Sequence, residues 1–261
     1  MSAEKAAPGA LIALDGTLNF RDLGGWPAES GEYRVLRGRV FRSDRLSDLT
    51  AADHRRLVGL GIATVVDLRY EAEVEAHPSR LWPTVVDHHE IPLGGDLADQ
   101  RSFIERALAG EYDGITDADV GESYLDMLRL HAEDFGRAVA ALLEGGPALF
   151  HCTAGKDRTG LLSMLLLRTV GVGAAHVLAD FALSNEYRAE RRMAQLRPTF
   201  EAHDLDIESF RPALSAPPPA LERAMAWIDE THGGAQGYLT EAANLANAGD
   251  RLRAHLLEPA P

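Results

Sequence analysis

Pro147-Ala148-Leu149-Phe150-His151-Cys152-Thr153-Ala154-Gly155-Lys156-Asp157-Arg158-Thr159-Gly160-Leu161-Leu162 is the stretch that decides how this chain is read. It opens as a short apolar strand over 147–151 and continues as a strong helical pattern over 158–170. A strand that passes through a polar turn straight into a helix sets that turn beyond the carboxyl end of a sheet, where open α/β sheets bind ligands. The helix start offers unpaired amides and the positive end of the helix dipole, a combination that favours phosphate. Residues Thr153, Ala154, Gly155, Lys156, Asp157 and Arg158 are expected to wrap the non-bridging oxygens. Gly155 permits a turn that a Cβ would obstruct, and Gly160 allows close packing as the helix begins.

Cys152 sits among those donors, and a thiolate is a strong nucleophile. It is expected to attack phosphorus, with Arg158 as a planar two-pronged donor to the transition state. Thr159 is expected to donate its hydroxyl to the sulfur, and His151 to turn inward and bond the loop backbone. A buried core cysteine beside a glycine turn would not require the spacing C-x-x-G-x-x-R-T-G. The loop is not that of a P-loop nucleotide-binding protein, because Asp157 follows Gly155-Lys156 and Phe150 stands where the first glycine is needed. Sulfur transfer would use the cysteine but gives no reason for Arg158-Thr159-Gly160. A phosphate-binding module without catalysis would lose the thiol or the acid, and both are present.

Working outward, strands alternate with helices. Strands are expected at 40–42, 62–68, 85–91 and 147–151. Helices are expected at 51–60, with Thr50 as N-cap and Gly61 as stop, and at 70–76, 99–108, 120–143, 158–170, 174–196 and 219–231, with two short pieces after Gly237. The proline-rich segment 211–219 is expected to be a loop. This order predicts an α/β fold, a central mostly parallel sheet flanked by helices, with a helical C-terminal region.

Composition narrows the partners. The 261 residues carry 26 basic and 40 acidic side chains, a net charge of −14, so the surface as a whole repels nucleic acid and anionic membranes. No stretch approaches the roughly 20 apolar residues of a membrane span. Met1 to Leu14 makes a poor signal peptide. Cys152 is the sole cysteine, which excludes an internal disulfide and indicates a reducing compartment, with cytoplasm expected. Lysine occurs only at Lys5 and Lys156, and the other 24 basic residues are arginine. Where charge alone mattered this chain used arginine, so Lys156 is read as needing a compact ammonium, and as widening the substrate range toward multiply charged head groups.

At the loop the sequence resembles the cysteine-dependent tyrosine and dual-specificity phosphatases, and more narrowly their bacterial branch with Lys-Asp in the loop. Four further stretches resemble that branch in order: Asn19-Phe20-Arg21-Asp22-Leu23-Gly24-Gly25 with Phe41-Arg42-Ser43; Val66-Asp67-Leu68-Arg69 with Glu73; Ile91-Pro92-Leu93 leading to Asp96; and Ser184-Asn185 with Gly237-Tyr238-Leu239. The resemblance implies a single phosphatase domain over 1–261, with a short helical lid or insertion at about 96–124. It implies hydrolysis through a phosphocysteine with no metal or other cofactor, acting on phosphotyrosine and on phosphoserine, phosphothreonine or phosphoinositides. Partners would be a phosphorylated protein or phosphoinositide, with no nucleic acid and no integral membrane contact. An inositol phosphate or other small phosphate ester is the alternative substrate.

Expulsion of the leaving group needs a proton donor. Asp96, after a strand and the Gly94-Gly95 pair, is expected to be that acid, with Asp157 as a second acid or loop organiser. Trp82-Pro83 is followed by Thr84 and is read as an ordinary loop. Arg21, Asp22, Asp67 and Arg69 are read as ion pairs holding strand ends together, the alternative being that they surround and support the phosphate loop, and Arg188, Arg191 and Arg192 as a solvated helix face that could also meet an anion. His88-His89 is not a metal site, since adjacent strand residues point to opposite faces.

Overall fold

The apolar run 62–68 forms a buried strand over Thr64–Asp67, where β-branched residues suit the pleat. The computed structural model of the chain describes residues 7–94 and 103–260. The strands are β1 (Arg21–Asp22), β2 (Pro27–Ala28), β3 (Tyr33–Val35), β4 (Val40–Ser43), β5 (Thr64–Asp67), β6 (Asp87–Glu90), β7 (Ala148–His151) and β8 (Leu257–Pro259). Five of them make one sheet in the order β1-β4-β7-β5-β6, with β4, β7, β5 and β6 parallel and β1 antiparallel at the edge. The fold is therefore α/β with a mostly parallel sheet. The short strands β2, β3 and β8 form a separate antiparallel sheet that ties the chain's end to its beginning. No residue pattern announces it, because each strand is only two or three residues long.

Register fixes the site. Ser43 and Asp67 both pair with His151, so three parallel strands end on one line. The chain leaves each of them into a loop on the same rim: Asp44-Arg45 after β4, Leu68-Arg69-Tyr70 after β5 and Cys152 onward after β7. Cross-strand contacts continue past the strands, with Arg45 N donating to Thr153 O at 3.3 Å and Leu68 N to His151 O at 2.8 Å.

The sheet's two faces follow the period of two. Phe41, Val65 and Leu149 face a cluster with Phe20, Leu57, Ile62 and Trp82. Val40, Val66 and Phe150 face the larger core, built on α4 (Asp117–Leu130), α5 (Ala132–Leu142) and α6 (Asp157–Thr169). On the first side lies α1 (Ala51–Gly59), capped as expected by Thr50 with Asp53 completing the box. The short helix α2 (Glu71–Ala76) follows β5.

Several helices depart from expectation. The helix expected over 120–143 is two, α4 and α5, broken at His131, which has φ −118 and ψ 27. No proline or glycine announces that break. The helix expected over 174–196 is α7 (Ala174–Ser184), five π-helical residues Asn185–Ala189, and α8 (Glu190–Glu201). The segment 211–219 is only partly a loop, since it holds α9 (Arg211–Leu214) and the start of α10 (Pro218–His232). Pro212, Pro218 and Pro219 sit in first turns, where the missing N–H has no intrahelical acceptor to lose. Within 96–124 the described part includes the helix α3 (Phe103–Leu108), whose Ala107 packs with Met193, Leu196, Phe200 and Phe210 in a third, smaller cluster.

Candidate active site

The loop after β7 turns at Gly155, with φ +67. A Cβ there would lie 2.6 Å from Asp44 N and Ser43 O, so glycine is required by both conformation and space. A Cβ on Gly160 would come within 2.8 Å of the Phe181 ring, the close packing expected of it. Cys152 is buried, and its Sγ accepts from Gly155 N and from the Thr159 hydroxyl, each at 3.2 Å. His151 is fully buried, with Nδ1 3.2 Å from Cys152 O and Nε2 3.5 Å from Asp67. Burial pushes the His151 pKa down to about 4, with Asp67 acting the other way, so the ring is neutral at pH 7.

Behind the loop is a buried polar network. Asn19 Nδ2 and Arg42 Nη2 both donate to Gly155 O at 2.8 Å. Asn19 Nδ2 also reaches Ala154 O at 3.4 Å, the carbonyl of the same peptide group whose N–H, that of Gly155, points at the sulfur. Arg42 Nη1 meets Asp180 at 2.5 Å, and Arg21 Nε meets the other oxygen of Asp180 at 3.1 Å. Arg21 also donates to Asn19 Oδ1 and, at 3.3 Å, to Ser184 Oγ. Burial raises the cost of charge on Asp180, but Arg21 and Arg42 outweigh it and hold the carboxyl below its ordinary range. Burial, with Arg21 alongside, brings Arg42 down to about 10.

In front of the loop the groups are only partly covered. Arg158 forms a bidentate pair with Glu73 of α2, at 2.5 and 2.7 Å, and lies 5.6 Å from the Tyr70 ring centroid. Thr153 donates its hydroxyl to the same Glu73 carboxylate. Burial opposes the charge on Arg158, but Glu73 and the Cys152 sulfur outweigh it and raise its pKa further. Lys156 Nζ and the Tyr124 hydroxyl both donate to Asp157 Oδ1, at 2.7 and 2.6 Å. Tyr124 comes from α4, and its pKa is pushed well up by burial and by Asp157, so it stays a donor.

The structure thus brings together Cys152, Thr153, Ala154, Gly155, Lys156, Asp157, Arg158 and Thr159. Asp96 lies outside the described residues. Arg21 does form an ion pair, though with Asp180 of α7 rather than with another strand end, and it lies behind the loop. Asp22 accepts backbone N–H from Gly24 and Gly38 at 2.8 and 2.7 Å, a turn rather than an ion pair. Asp67 and Arg69 do pair, as closely as 2.6 Å, and Arg69 also donates to His77 O and Ser79 Oγ, fixing the segment that carries Glu73. Asp180 and Tyr124 were not singled out from sequence. Asp180 had one legible signal, a lone carboxylate in the apolar run Leu178-Ala179-Asp180-Phe181-Ala182-Leu183. Among the described residues no group of three or more His, Cys, Asp or Glu is placed to hold a metal. None of the described helices is long and apolar enough to cross a membrane.

A profile described as the tyrosine phosphatase family matches residues 12–258. A candidate tyrosine-protein phosphatase of Cupriavidus necator is 32% identical over 94% of this chain and 88% of its own length. The triple specificity protein phosphatase PtpB of Mycobacterium tuberculosis is 30% identical over 95% of this chain and 99% of its own. Among solved structures, TpbA of P. aeruginosa aligns at 17% identity with a TM-score of 0.32, over 72% of this chain and 96% of that one.

Proposed function

The chain belongs to the tyrosine phosphatase family, and from that premise we propose that it hydrolyses phosphate monoesters by two displacements at Cys152. The observation that carries this reading is the sulfur held at 3.2 Å by both the Gly155 amide and the Thr159 hydroxyl, at the start of a helix and beside Arg158. In the first step the Cys152 thiolate attacks phosphorus, the bond to the leaving oxygen breaks, and Asp96 delivers a proton to that oxygen. In the second, water gives a proton back to the Asp96 carboxylate as it attacks phosphorus, the P–S bond breaks and the thiolate returns, stabilised by Thr159. Arg158, positioned by Glu73, and the loop amides bind the three equatorial oxygens as charge builds on them.

Asp157 receives two hydrogen bonds on one oxygen, which supports a role in organising the loop's mouth. The ammonium of Lys156 is directed at it, so a buried position next to a carboxylate explains why a compact cation stands there. Phosphotyrosine is the first substrate class, and the breadth named for the mycobacterial relative supports extension to phosphoserine, phosphothreonine or phosphoinositides. A lone nucleophilic cysteine survives best in a reducing setting, which supports a cytoplasmic enzyme.

Cys152→Ser tests the mechanism. Turnover of p-nitrophenyl phosphate and phosphotyrosine should vanish, while the protein still binds a phosphate analogue by calorimetry. Substantial residual hydrolysis would end this reading. Asp96→Asn should slow poor leaving groups such as phosphoserine far more than aryl phosphates. If Asp157→Asn shows that steep dependence instead, the acid is Asp157.

A further inference from the structure

Three arginines stand beside the loop without being absorbed by the network behind it. Ser184, at the end of α7, touches that network through Asn19 and Arg21, each at 3.3 Å. The next turns of the same helical run carry Arg188, in the π-helical stretch Asn185–Ala189, and Arg192, in the first turn of α8. Both are partly covered rather than fully solvated, while Arg191 between them is exposed. The face read from sequence as one solvated patch is therefore divided. Among the described residues neither Arg188 nor Arg192 has a carboxylate within 4.0 Å. Arg45, whose amide bonds Thr153 O at 3.3 Å, joins them from the loop after β4, and its own pair with Asp48, at 3.2 Å, is exposed.

Burial lowers the Arg188 pKa, against the pull of Asp44, the Cys152 sulfur and Asp157. Burial, Arg188 and Arg45 lower that of Arg192. Asp44 is the main countercharge acting on Arg188, but it is buried and already accepts the amides of Leu18 and Asn19. Three cations of like sign are thus held together at the rim of a phosphate loop, in a chain of net charge −14. Such a group costs free energy unless an anion joins it, and guanidinium forks match phosphate.

We propose that Arg188 and Arg192, with Arg45 at the edge, form a second anion subsite that takes a second phosphate carried by the same substrate molecule whose first phosphate meets Cys152. The inference rests on the reading of Cys152 as phosphoryl acceptor. Ser184, one helical turn before Arg188, lies 3.3 Å from the Asn19 amide that also holds Gly155 O, so the two phosphates must be close, as on one ring. Neighbouring side chains of an extended peptide point to opposite faces and would not reach both places.

The test compares kcat/KM for phenyl phosphate, for resorcinol bisphosphate, and for a phosphotyrosine peptide with an adjacent phosphoserine against its singly phosphorylated form. In the wild-type enzyme the ring bisphosphate should exceed phenyl phosphate by about tenfold to a hundredfold, the size of hydrogen bonds to a charged group. That ratio should fall toward one in Arg188→Gln and in Arg192→Gln, and should be kept in Arg191→Gln. Two variants at separate positions guard against a loss caused by misfolding. A wild-type ratio near one, with phenyl phosphate still hydrolysed, would overturn the subsite and leave the reading of Cys152 intact. A preference for the doubly phosphorylated peptide alone would overturn the close spacing. No hydrolysis of any monoester would overturn the reading beneath it.

Discussion

Behind the phosphate loop, Arg21, Arg42 and Asp180 are 0–1% exposed, and their hydrogen bonds run to one another and to the loop's own carbonyl. In front of it, Arg158, Glu73 and Asp157 keep 14%, 15% and 29% of their side-chain surface. The rear carries charge in a low-dielectric interior, where each ion depends on its partner. The front carries charge near water, where partners can be exchanged for substrate oxygens. Shape is secured on one side so that binding can be negotiable on the other.

This comparison can be broken by substitution. The largest effect beyond loss of the nucleophile is expected at the rear. Asp180→Ala leaves two buried guanidiniums facing each other and should cost about 3–5 kcal/mol in urea unfolding. Asp180→Asn, which keeps the shape, should also be destabilising. If either is as stable as wild type, the rear is not an interdependent network.

Next comes His151, also at the rear. Its folded pKa, about 4, lies below the ordinary 6.5, so the unfolded chain binds more protons between those values. Stability should therefore fall as pH drops from 6.5 toward 4. Between pH 7 and pH 5 the loss from this group should be about 2 kcal/mol. His151→Asn should show a correspondingly flatter pH dependence by urea midpoint, and an unchanged slope would refute a buried neutral ring.

At the front, Glu73→Gln should alter stability by less than about 1 kcal/mol. It should nonetheless lower kcat/KM about tenfold, as Arg158 loses its bidentate partner, a change of about 1.4 kcal/mol. Equal stability losses for Glu73→Gln and Asp180→Ala would erase the distinction between the two sides. The smallest effect is expected where they meet. Tyr124→Phe removes one hydrogen bond to Asp157 and keeps the ring packed edge-on to Phe181, so it should cost about 1 kcal/mol of stability and less activity than Glu73→Gln.

The loop between the two sides was largely readable in advance because ten consecutive residues form it. The turn at Gly155, the Thr159 hydroxyl on sulfur and the inward His151 are local consequences of a strand running into a helix. The rear was half-readable. Asn19, Arg21 and Arg42 belonged to stretches with a recognisable resemblance, but nothing in them named Asp180, which lies well along the chain on a helix otherwise read by its apolar face. Helix boundaries failed where no proline or glycine marks them: the break at His131 and the π-helical turn after Ser184 are set by packing rather than propensity. The prolines after Arg211 misled in the other direction, since they start helices as readily as they interrupt them.

The bonds that brace the loop join residues very far apart in the chain: Asn19 to Gly155 spans 136 positions, Arg42 to Gly155 spans 113, and Arg21 to Asp180 spans 159. Such pairings carry a large loop-closure entropy and form late in folding. In a refolding reaction, helical signal should return first, buried aromatic fluorescence second, and hydrolysis last. A fragment beginning after Arg42 would keep all ten residues from His151 to Gly160 and still lack the bonds that hold the Gly155 carbonyl from behind. The enzyme is therefore competent only when its chain is closed from near its first strand to its seventh helix, which makes catalysis itself an assay of complete folding.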